Sequence, residues 1–578
     1  MMTNRKLNLH YLSLTFFISL AIILRFWNLQ LKPLWMDEVI TAIFSLGKNY
    51  SSIPLDIVFP LEKLRDVFSY QPGVTCSQIA QNIATESTHP PLFFCGMYEL
   101  LGWVAPLGDD WVNKLRSPSV WFGVALVVAV YFLNRLAFSR KAGLMGAAFV
   151  AVSPFAVYLS QEARHYTLPM LTISLSLLTL IQIQRDIFQR QQVKVWLWLT
   201  WTIINIIAIY IHYFCIIALI AQVATLLLLI SLSSSSNFKP LSDAQRGFHS
   251  SKTSLRNCFI ALILSISAIA IAIIPWLLVM QNHLNRSETS WLPTPQHIEP
   301  LYQTLMNWVV MVVMLPVEGQ PLAIIIISSL LILLFTGWLG WQVFRGIKLL
   351  LRQPTTCLPT LALLSFTTFV LLGIFTISYI LGKDITVAPR YNFIYYPSFS
   401  ALIAASLTKV QDSIKTRVSL PIILLVGFIG CIFVVYNLAF QKPYLPQQVA
   451  QNIYQEPTVP VMAVMAYSNY QDVALGLSYA LALEREKQAF DRGDGIPADK
   501  YSKFAFLTQT SGWEAVFENL SQIPNQNISQ LNLWIFAPGR LRHDYPLQIK
   551  VSQSLSCNID TNQHYRIGIP YQLYRCTK

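Results

Sequence analysis

Long apolar runs recur from residue 11 to residue 440 and then stop. Most approach the roughly 20 helical residues needed to cross a bilayer. Hydrophobic residues make up 54% of the 578 and charged residues only 12%, unlike an average soluble domain. We therefore predict an all-α polytopic membrane domain with about eleven transmembrane helices over residues 1–440, followed by a small soluble α/β domain over residues 441–578.

The predicted spans are residues 11–29, 117–138, 142–160, 166–184, 195–212, 213–232, 257–280, 321–344, 357–380, 391–408 and 418–440. The first loop, 30–116, contains a further apolar stretch at 91–107, and another lies at 301–315. A full crossing by either stretch would move basic segments to the outer side. We therefore expect both to lie at the membrane interface or in the outer part of the bundle.

Basic residues are distributed unevenly along the chain, whose net charge is +13. The expected inner segments hold eighteen Lys or Arg against three acids; they are residues 1–10, 134–141, 185–194, 233–256, 345–352 and 409–417. The positive-inside rule then places the N-terminus in the cytoplasm and the C-terminal domain outside. The charge is a topology signal, so no nucleic-acid partner is needed. A bacterial plasma (inner) membrane is the expected location.

After Gln441 the pattern becomes one of short strand-length runs, namely Val459–Ala466, Lys503–Thr508 and Leu531–Phe536, with helical character between them. Two cysteine pairs lie in the expected outer regions: Cys557 with Cys576, and Cys76 with Cys95. In an oxidising exterior each pair could form a disulfide, but no spacing proves it and unpaired thiols fit the sequence equally well.

Ionisable residues gather at the outer ends of the predicted spans. They occur in three short motifs, Leu34–Glu38 (LWMDE), Thr88–Leu92 (THPPL) and Gln161–Tyr166 (QEARHY), and near residue 390. The residues expected at this face are Asp37, Glu38, His89, Glu162, Arg164, His165, His212, Tyr213, Arg390 and Tyr391. Such groups are expensive at the edge of the apolar slab unless they pair or serve a site. Simpler explanations are helix capping by the acids, snorkelling arginines and, for His212 and Tyr213, an interfacial aromatic belt.

This residue set suits sugar transfer. A carboxylate can act as general base or hold a divalent cation, and Arg binds phosphate through paired donors. Asp37, Glu38 and Glu162 are the candidate metal ligands. We expect Asp37 and Glu38 to lie in an extended turn and to point in opposite directions. Because no nucleotide-binding loop motif occurs in the sequence, we expect a lipid-linked sugar phosphate as donor and no nucleotide cofactor.

The motifs WMDE, THPPLFF, QEARHYTL and APRYNFIYYPSFSALIA resemble those of the GT-C membrane glycosyltransferases, over roughly residues 11–410. The resemblance is to the protein O-mannosyltransferase and aminoarabinose transferase group (glycosyltransferase family 39-like). It implies a polyprenyl-phosphate-linked sugar donor, a hydroxyl or amine acceptor on a lipid, glycan or protein, inversion at the anomeric carbon, and an active site on the non-cytoplasmic face. Asp37 then corresponds to the catalytic acid of the first loop, with Glu38 beside it.

The remaining roles follow from the same comparison and from position. His89, Arg164, Arg390 and Tyr391 are expected at the donor phosphate, and Glu162 and His165 at a secondary acid or acceptor site. His165 stands where some members carry an aspartate, which leaves metal dependence open. Two other classes remain: a transporter or flippase of lipid-linked or polar substrates, and a non-catalytic envelope assembly protein.

Overall fold

The computed structural model describes residues 2–234, 252–284, 286, 291–414, 419–456, 458–492, 502–523, 529–552 and 555–578. Most of the predicted inner loop 233–256 lies outside these residues. The chain forms two compact units. The first unit comprises residues 1–31, 88–93 and 116–440, and the second comprises residues 32–87, 94–115 and 441–578.

The helices within the described residues are, in chain order, α1 Met2–Phe26, α2 Met36–Ser45, α3 Leu64–Val67, α4 Cys76–Glu86, α5 Leu92–Gly102, α6 Trp111–Ala137, α7 Arg140–Ala151, α8 Pro154–Ser160, α9 Thr167–Arg185, α10 Val195–Ile211, α11 Cys215–Ser234, α12 Lys252–Leu284, α13 Glu299–Val312, α14 Leu322–Leu351, α15 Pro354–Ile380, α16 Tyr396–Ile414, α17 Ser419–Val435, α18 Pro446–Ile453, α19 Tyr470–Arg492 and α20 Trp513–Ser521. The strands are β1 Val58–Pro60, β2 Val461–Tyr467, β3 Lys503–Thr508, β4 Gln530–Phe536, β5 Gln548–Val551, β6 Leu555–Ile567 and β7 Ile569–Thr577.

The first unit is helical and carries the apolar segments. Within the described part of the chain, seven helices are long and apolar enough to span a membrane: α1, α6, α9, α11, α12, α14 and α15. The bent pair α7–α8 makes an eighth if it counts as one span. Helices α10 and α17 are shorter but apolar, and α16 matches the predicted span 391–408 only from Tyr396 onward. The polytopic fold class is confirmed, while the count of about eleven stays a prediction.

The predicted span 142–160 is wrong as a single helix. Helix α7 ends at Ala151, α8 begins at Pro154, and their axes differ by 60°. Ser153 causes the break, since its hydroxyl accepts a hydrogen bond from Ala156 N and Pro154 occupies the first position of α8. Serine as N-cap followed by proline is a strong signal for a helix start.

The two stretches assigned to the interface are both shorter as helices than the sequence suggested. Helix α5 covers only 92–102 of the apolar stretch 91–107, and α13 covers 299–312. At 1.5 Å per residue, helices of this length reach only about 16–21 Å. Neither is long enough to cross a bilayer of about 30 Å.

Helix α1 and the α7–α8 break cap each other. The buried Arg25 guanidinium donates to the carbonyls of Val150 (2.9 Å) and Ala151 (3.2 Å), which close α7. It also donates to Ser160 Oγ at 3.2 Å. In return, the Gln161 side-chain amide donates to Trp27 O at 2.8 Å, just past the end of α1. Helix ends buried in this way need such partners for their last carbonyls, so this exchange fixes where the chain after α8 emerges.

The second unit is built on one seven-stranded sheet of order β1-β3-β2-β4-β7-β6-β5. Strands β3, β2 and β4 run parallel, and the remaining neighbours are antiparallel. The almost continuous burial of β2 and β4 is that of central strands covered on both faces. This confirms the predicted soluble α/β domain.

The first loop belongs mostly to this second unit, whereas the sequence grouped residues 30–116 with the membrane domain. Strand β1 from the loop pairs with β3, with Phe59 opposite Phe504. Both cysteine pairs form disulfides, Cys76–Cys95 within the loop and Cys557–Cys576 between β6 and β7. A three-residue strand gives too weak a sequence pattern to reveal a partner more than 400 residues away.

Candidate functional site

The QEARHY motif forms the turn between α8 and α9, at the end of α1 that Gln161 contacts. Two hydrogen bonds tie this turn to α6. Ser119 Oγ donates to Arg164 O at 3.0 Å, and Thr167 Oγ1 donates to Ser119 O at 3.0 Å. All six residues of the motif are buried. The backbone that carries Arg164 and His165 is therefore held on both sides by neighbouring helices.

Three histidines from distant parts of the chain meet at this turn. The His165 ring lies 5.0 Å from the His89 ring and 4.6 Å from the His212 ring, centroid to centroid. Arg164 Nη2 lies 3.1 Å from His89 Nε2. Within the described residues, neither ring nitrogen of the buried His165 has a hydrogen-bond partner. Buried polar nitrogens in that state are rare and mark a place where a ligand can bind.

Aromatic side chains enclose the histidine cluster, which we define as His89, His165 and His212. Phe93 packs edge-on against His165, and Phe393 lies 4.8 Å from His212. This enclosure removes water from the imidazoles, and a desolvated imidazole disfavours its charged form. The cluster is thus polar at its nitrogens and apolar around its rim.

The same environment sets the protonation state of the histidines. Burial first, and then the Arg164 guanidinium, lower the pKa of His89 well below its usual 6.5. Burial and the neighbouring His212 and Arg164 do the same for the pKa of His165. The His89 and His165 rings are therefore neutral at pH 7, so the positive charge beside them comes from arginine.

Arg390 supplies a second guanidinium within electrostatic range of His89 and His165. It lies in the connection between α15 and α16, within a 3-10 turn over Pro389–Ile394. Its guanidinium carbon lies 5.2 Å from the Trp291 ring and 5.4 Å from the Tyr391 ring. Aromatic faces hold a guanidinium in place while leaving its N–H edge able to bind. The structure thus brings His89, Arg164, His165, Arg390 and Tyr391 to one neighbourhood.

Sequence reasoning missed part of this neighbourhood. The sequence places His212 at the outer face with an interfacial belt as the simpler explanation, and in the structure its ring lies inside the cluster. His283, at the end of α12, also acts electrostatically on His89 and lies 2.9 Å from the Tyr213 hydroxyl. Trp276 Nε1 donates to that hydroxyl at 2.7 Å. The available signal was a lone histidine at the expected outer end of each of two spans, α10 and α12.

Asp37 and Glu38 lie in the first turn of α2, in the second unit. The expected extended turn is wrong because Glu38 N and Val39 N already donate to Trp35 O, which starts the helix. Neighbouring helical residues point about 100° apart, not in opposite directions. Neither acid is the N-cap, since that position is Trp35. Both are buried, Glu38 almost completely, and carboxylates in a first turn are favoured by the helix dipole.

The C-terminal residues of the second unit hold this acidic helix. Ser478 Oγ donates to Leu34 O, and Lys442 Nζ lies 3.9 Å from the centroid of the Trp35 ring. Tyr50, five residues after α2, stacks on Tyr470 at 4.2 Å. The residues on either side of α2 are therefore anchored to the C-terminal domain.

Metal binding has no geometric support in the described residues. No group of three or more His, Cys, Asp or Glu there is arranged to hold a metal ion. Glu162 is buried and its carbonyl accepts from Arg164 N at 2.7 Å. Asp37, Glu38 and Glu162 therefore remain candidate ligands on sequence grounds alone.

Comparison with solved structures identifies the fold. ArnT from Cupriavidus metallidurans in the apo state is similar at TM-score 0.50 and 10% identity, over 97% of each chain. ArnT bound to undecaprenyl phosphate gives TM-score 0.48 at 10% identity, again over 97% of each chain. The Archaeoglobus fulgidus oligosaccharyltransferase, tethered with an acceptor peptide containing the NVT sequon via a disulfide bond, gives TM-score 0.45 at 11% identity, over 90% of this chain and 68% of that one.

No family model matches the sequence, and no curated protein matches it. At 10% identity, the likeness to apo ArnT shows a shared fold. The chain is thus an integral membrane protein with a soluble α/β domain. Its fold is GT-C-like, as the motifs led us to expect.

Proposed function

We propose that this protein is a membrane glycosyltransferase that moves a sugar from a polyprenyl-phosphate-linked donor to an acceptor hydroxyl or amine, with inversion. The observation that carries the proposal is the pairing of Arg164 with the histidine cluster, with Arg390 in electrostatic range. The GT-C-like fold accords with this kind of reaction. The acceptor is a lipid, a glycan or a protein.

The donor's phosphate is assigned to the first unit. Arg164 and Arg390 provide two permanent cations, and neutral imidazoles add N–H donors without further charge. When the bond from the anomeric carbon to phosphate breaks, the lipid phosphate gains negative charge, which guanidinium groups stabilise through paired hydrogen bonds. We assign His89, Arg164, Arg390 and Tyr391 to donor binding. His165 and Glu162 serve the acceptor or act as a second acid.

The base is assigned to Asp37 because its motif resembles that of the catalytic acid in the first loop. It accepts the proton of the acceptor as the acceptor oxygen or nitrogen attacks the anomeric carbon. Glu38, whose side chain is more deeply buried, positions Asp37 or the acceptor. General-base catalysis contributes typically about 10²–10⁴-fold. A divalent cation is not required by these roles, and its involvement is left to experiment.

We place the N-terminus in the cytoplasm and the second unit on the exterior face of the membrane. The excess of basic residues in the expected inner segments supports this orientation. So do the two disulfides of the second unit, since disulfides persist in oxidising compartments. The chemistry then occurs on the non-cytoplasmic side, where lipid-linked sugars are presented from the bilayer.

The proposal is tested with Asp37→Asn, which keeps the shape of the side chain but removes its basicity. Membranes are supplied with radiolabelled polyprenyl-phosphate sugars from a lipid extract, and label transfer and donor retention are measured separately. We expect transfer to fall by about 10²-fold or more, with donor binding retained. Asp66→Asn is the matched control, since Asp66 is an exposed acid of the same unit whose known partners are surface lysines.

Two results would count against the proposal. Transfer at the wild-type rate in both Asp37→Asn and Glu38→Gln would leave α2 without a catalytic role. Movement of the intact lipid-linked sugar across the membrane, without transfer to an acceptor, would indicate a flippase instead.

A further inference from the structure

A cleft of about 550 Å³ opens between α1, α7, α16 and α17, within the first unit. Its wall is largely apolar and includes Phe16, Phe17, Met145 and Leu424. We call it the inner cleft, because its polar end lies at His10 and the predicted cytoplasmic junction 134–141. Its volume falls within the range of about 300–1,000 Å³ typical of ligand pockets.

The inner cleft is separate from the donor site described above. Its polar end is at His10, near the start of α1, whereas the QEARHY turn contacts Trp27, just past the other end of that helix. Seventeen residues of helix separate these two positions, or about 25 Å at 1.5 Å per residue. A phosphate bound at the donor site is therefore too far away to occupy the polar end of the cleft as well.

Cations surround the polar end. His10 Nε2 lies 2.9 Å from the Tyr131 hydroxyl, to which Arg135 Nη1 donates at 3.3 Å. Both Arg135 and Arg140 lie within electrostatic range of His10. The imidazole is thus embedded in a polar network that already contains two guanidinium groups.

One acid offsets this charge only in part. Lys141, which lines the cleft, pairs with Asp412 at 2.7 Å. Most of the Lys141 side chain is nevertheless exposed, so the pair is open to a competing anion. Among the described residues, the three cations Arg135, Arg140 and Lys141 outnumber the one acid, Asp412. The polar end therefore carries a net positive charge.

We propose that the inner cleft binds one anionic phospholipid of the cytoplasmic leaflet, with its phosphate at Arg140 and Lys141 and an acyl chain along the apolar wall. An apolar wall ending in cations matches an amphiphile with an anionic head. Basic pockets between transmembrane helices on the cytoplasmic side bind such headgroups. The proposal is independent of the glycosyltransferase function.

The charge is tested with the double variant Arg140→Gln/Lys141→Gln. Purified, delipidated full-length protein is titrated with phosphatidylglycerol or phosphatidylcholine in detergent, and bound lipid is counted by native mass spectrometry. Each Lys or Arg near the membrane surface contributes about fivefold in binding, so phosphatidylglycerol affinity should fall about 25-fold. The control Arg345→Gln/Lys348→Gln removes two cations from the end of α14 and should leave the phosphatidylglycerol affinity unchanged.

The wall is tested separately with Leu144→Trp, which adds bulk inside the cleft. It should also weaken phosphatidylglycerol binding, whereas Leu333→Trp, at an exposed position of α14, should not. Equal affinity for phosphatidylcholine and phosphatidylglycerol would overturn the proposal, as would unchanged binding in both cleft variants. Displacement of phosphatidylglycerol by equimolar polyprenyl phosphate would show that the occupant is the isoprenoid carrier, and would overturn it too.

Discussion

Replacement of Arg25 should destabilise the first unit. Its side chain is fully buried and donates to Val150 O, Ala151 O and Ser160 Oγ across the α7–α8 break. We consider Arg25→Met, which keeps a long unbranched chain and removes every donor. The Ala151 carbonyl would then lose its bond from Arg25, whereas the Val150 carbonyl would keep the bond it accepts from Ser153 N at 3.5 Å.

The expected cost follows mainly from the Ala151 carbonyl. A buried acceptor left unsatisfied costs about 1–3 kcal/mol. Removing a buried charge returns part of this cost, because its desolvation penalty disappears. We therefore expect a net loss of about 1–2 kcal/mol. Arg25→Lys should retain part of the stability, since an ammonium keeps the charge and up to three donors.

The measurement is thermal unfolding of the purified protein in detergent, followed by tryptophan fluorescence, together with binding of polyprenyl phosphate. Arg25→Met should lower the apparent Tm by several degrees and weaken binding, because the break positions the turn that carries Arg164. Arg352→Met, which removes an exposed arginine after α14, is the control for loss of charge. A wild-type Tm in Arg25→Met would refute the view that Arg25 stabilises the break.

Three further predictions concern the histidines, a disulfide and the topology. The buried histidines stay neutral in the folded protein, whereas in the unfolded chain they take up protons near pH 6.5. The free energy of unfolding should therefore fall as pH is lowered below about 7. His165→Asn should flatten this dependence in thermal unfolding measured from pH 5 to 8, and an unchanged slope would contradict the prediction. Cys76→Ser opens a 19-residue crosslink and should cost about 3 kcal/mol, seen as faster limited proteolysis of the first loop. In a cysteine-free background, Arg140→Cys should resist an impermeant thiol reagent on intact cells, whereas Asp66→Cys should react; external labelling at position 140 would invert the topology.

The membrane helices were largely predictable because their signal is local. A run of about twenty apolar residues has few structural alternatives, and α6, α9, α11, α12, α14 and α15 lie where the runs do. The α7–α8 break was missed because the apolar run is continuous through Val152. The Ser153–Pro154 pair was the signal that could have revealed it.

The candidate site was predictable in its residue types but not in its assembly. His89, Arg164 and His165 were chosen because polar groups at span ends are costly. That His212 completes the cluster depends on the packing of α10 against α9, which no local pattern encodes. The helical placement of Asp37 and Glu38 was missed for a related reason. Trp35 is a poor N-cap; Lys442 lies over its ring and Ser478 donates to the carbonyl of the preceding Leu34, and both partners are far along the chain.

The pairing of β1 with β3 has a consequence for biosynthesis. Val58–Pro60 is made about 445 residues before its partner Lys503–Thr508, an interval of roughly 20–90 s at ordinary translation rates. Throughout that time the first loop exists without the strand that β1 pairs with in the finished sheet. Truncation anywhere before residue 503 would leave β1 permanently without its partner strand.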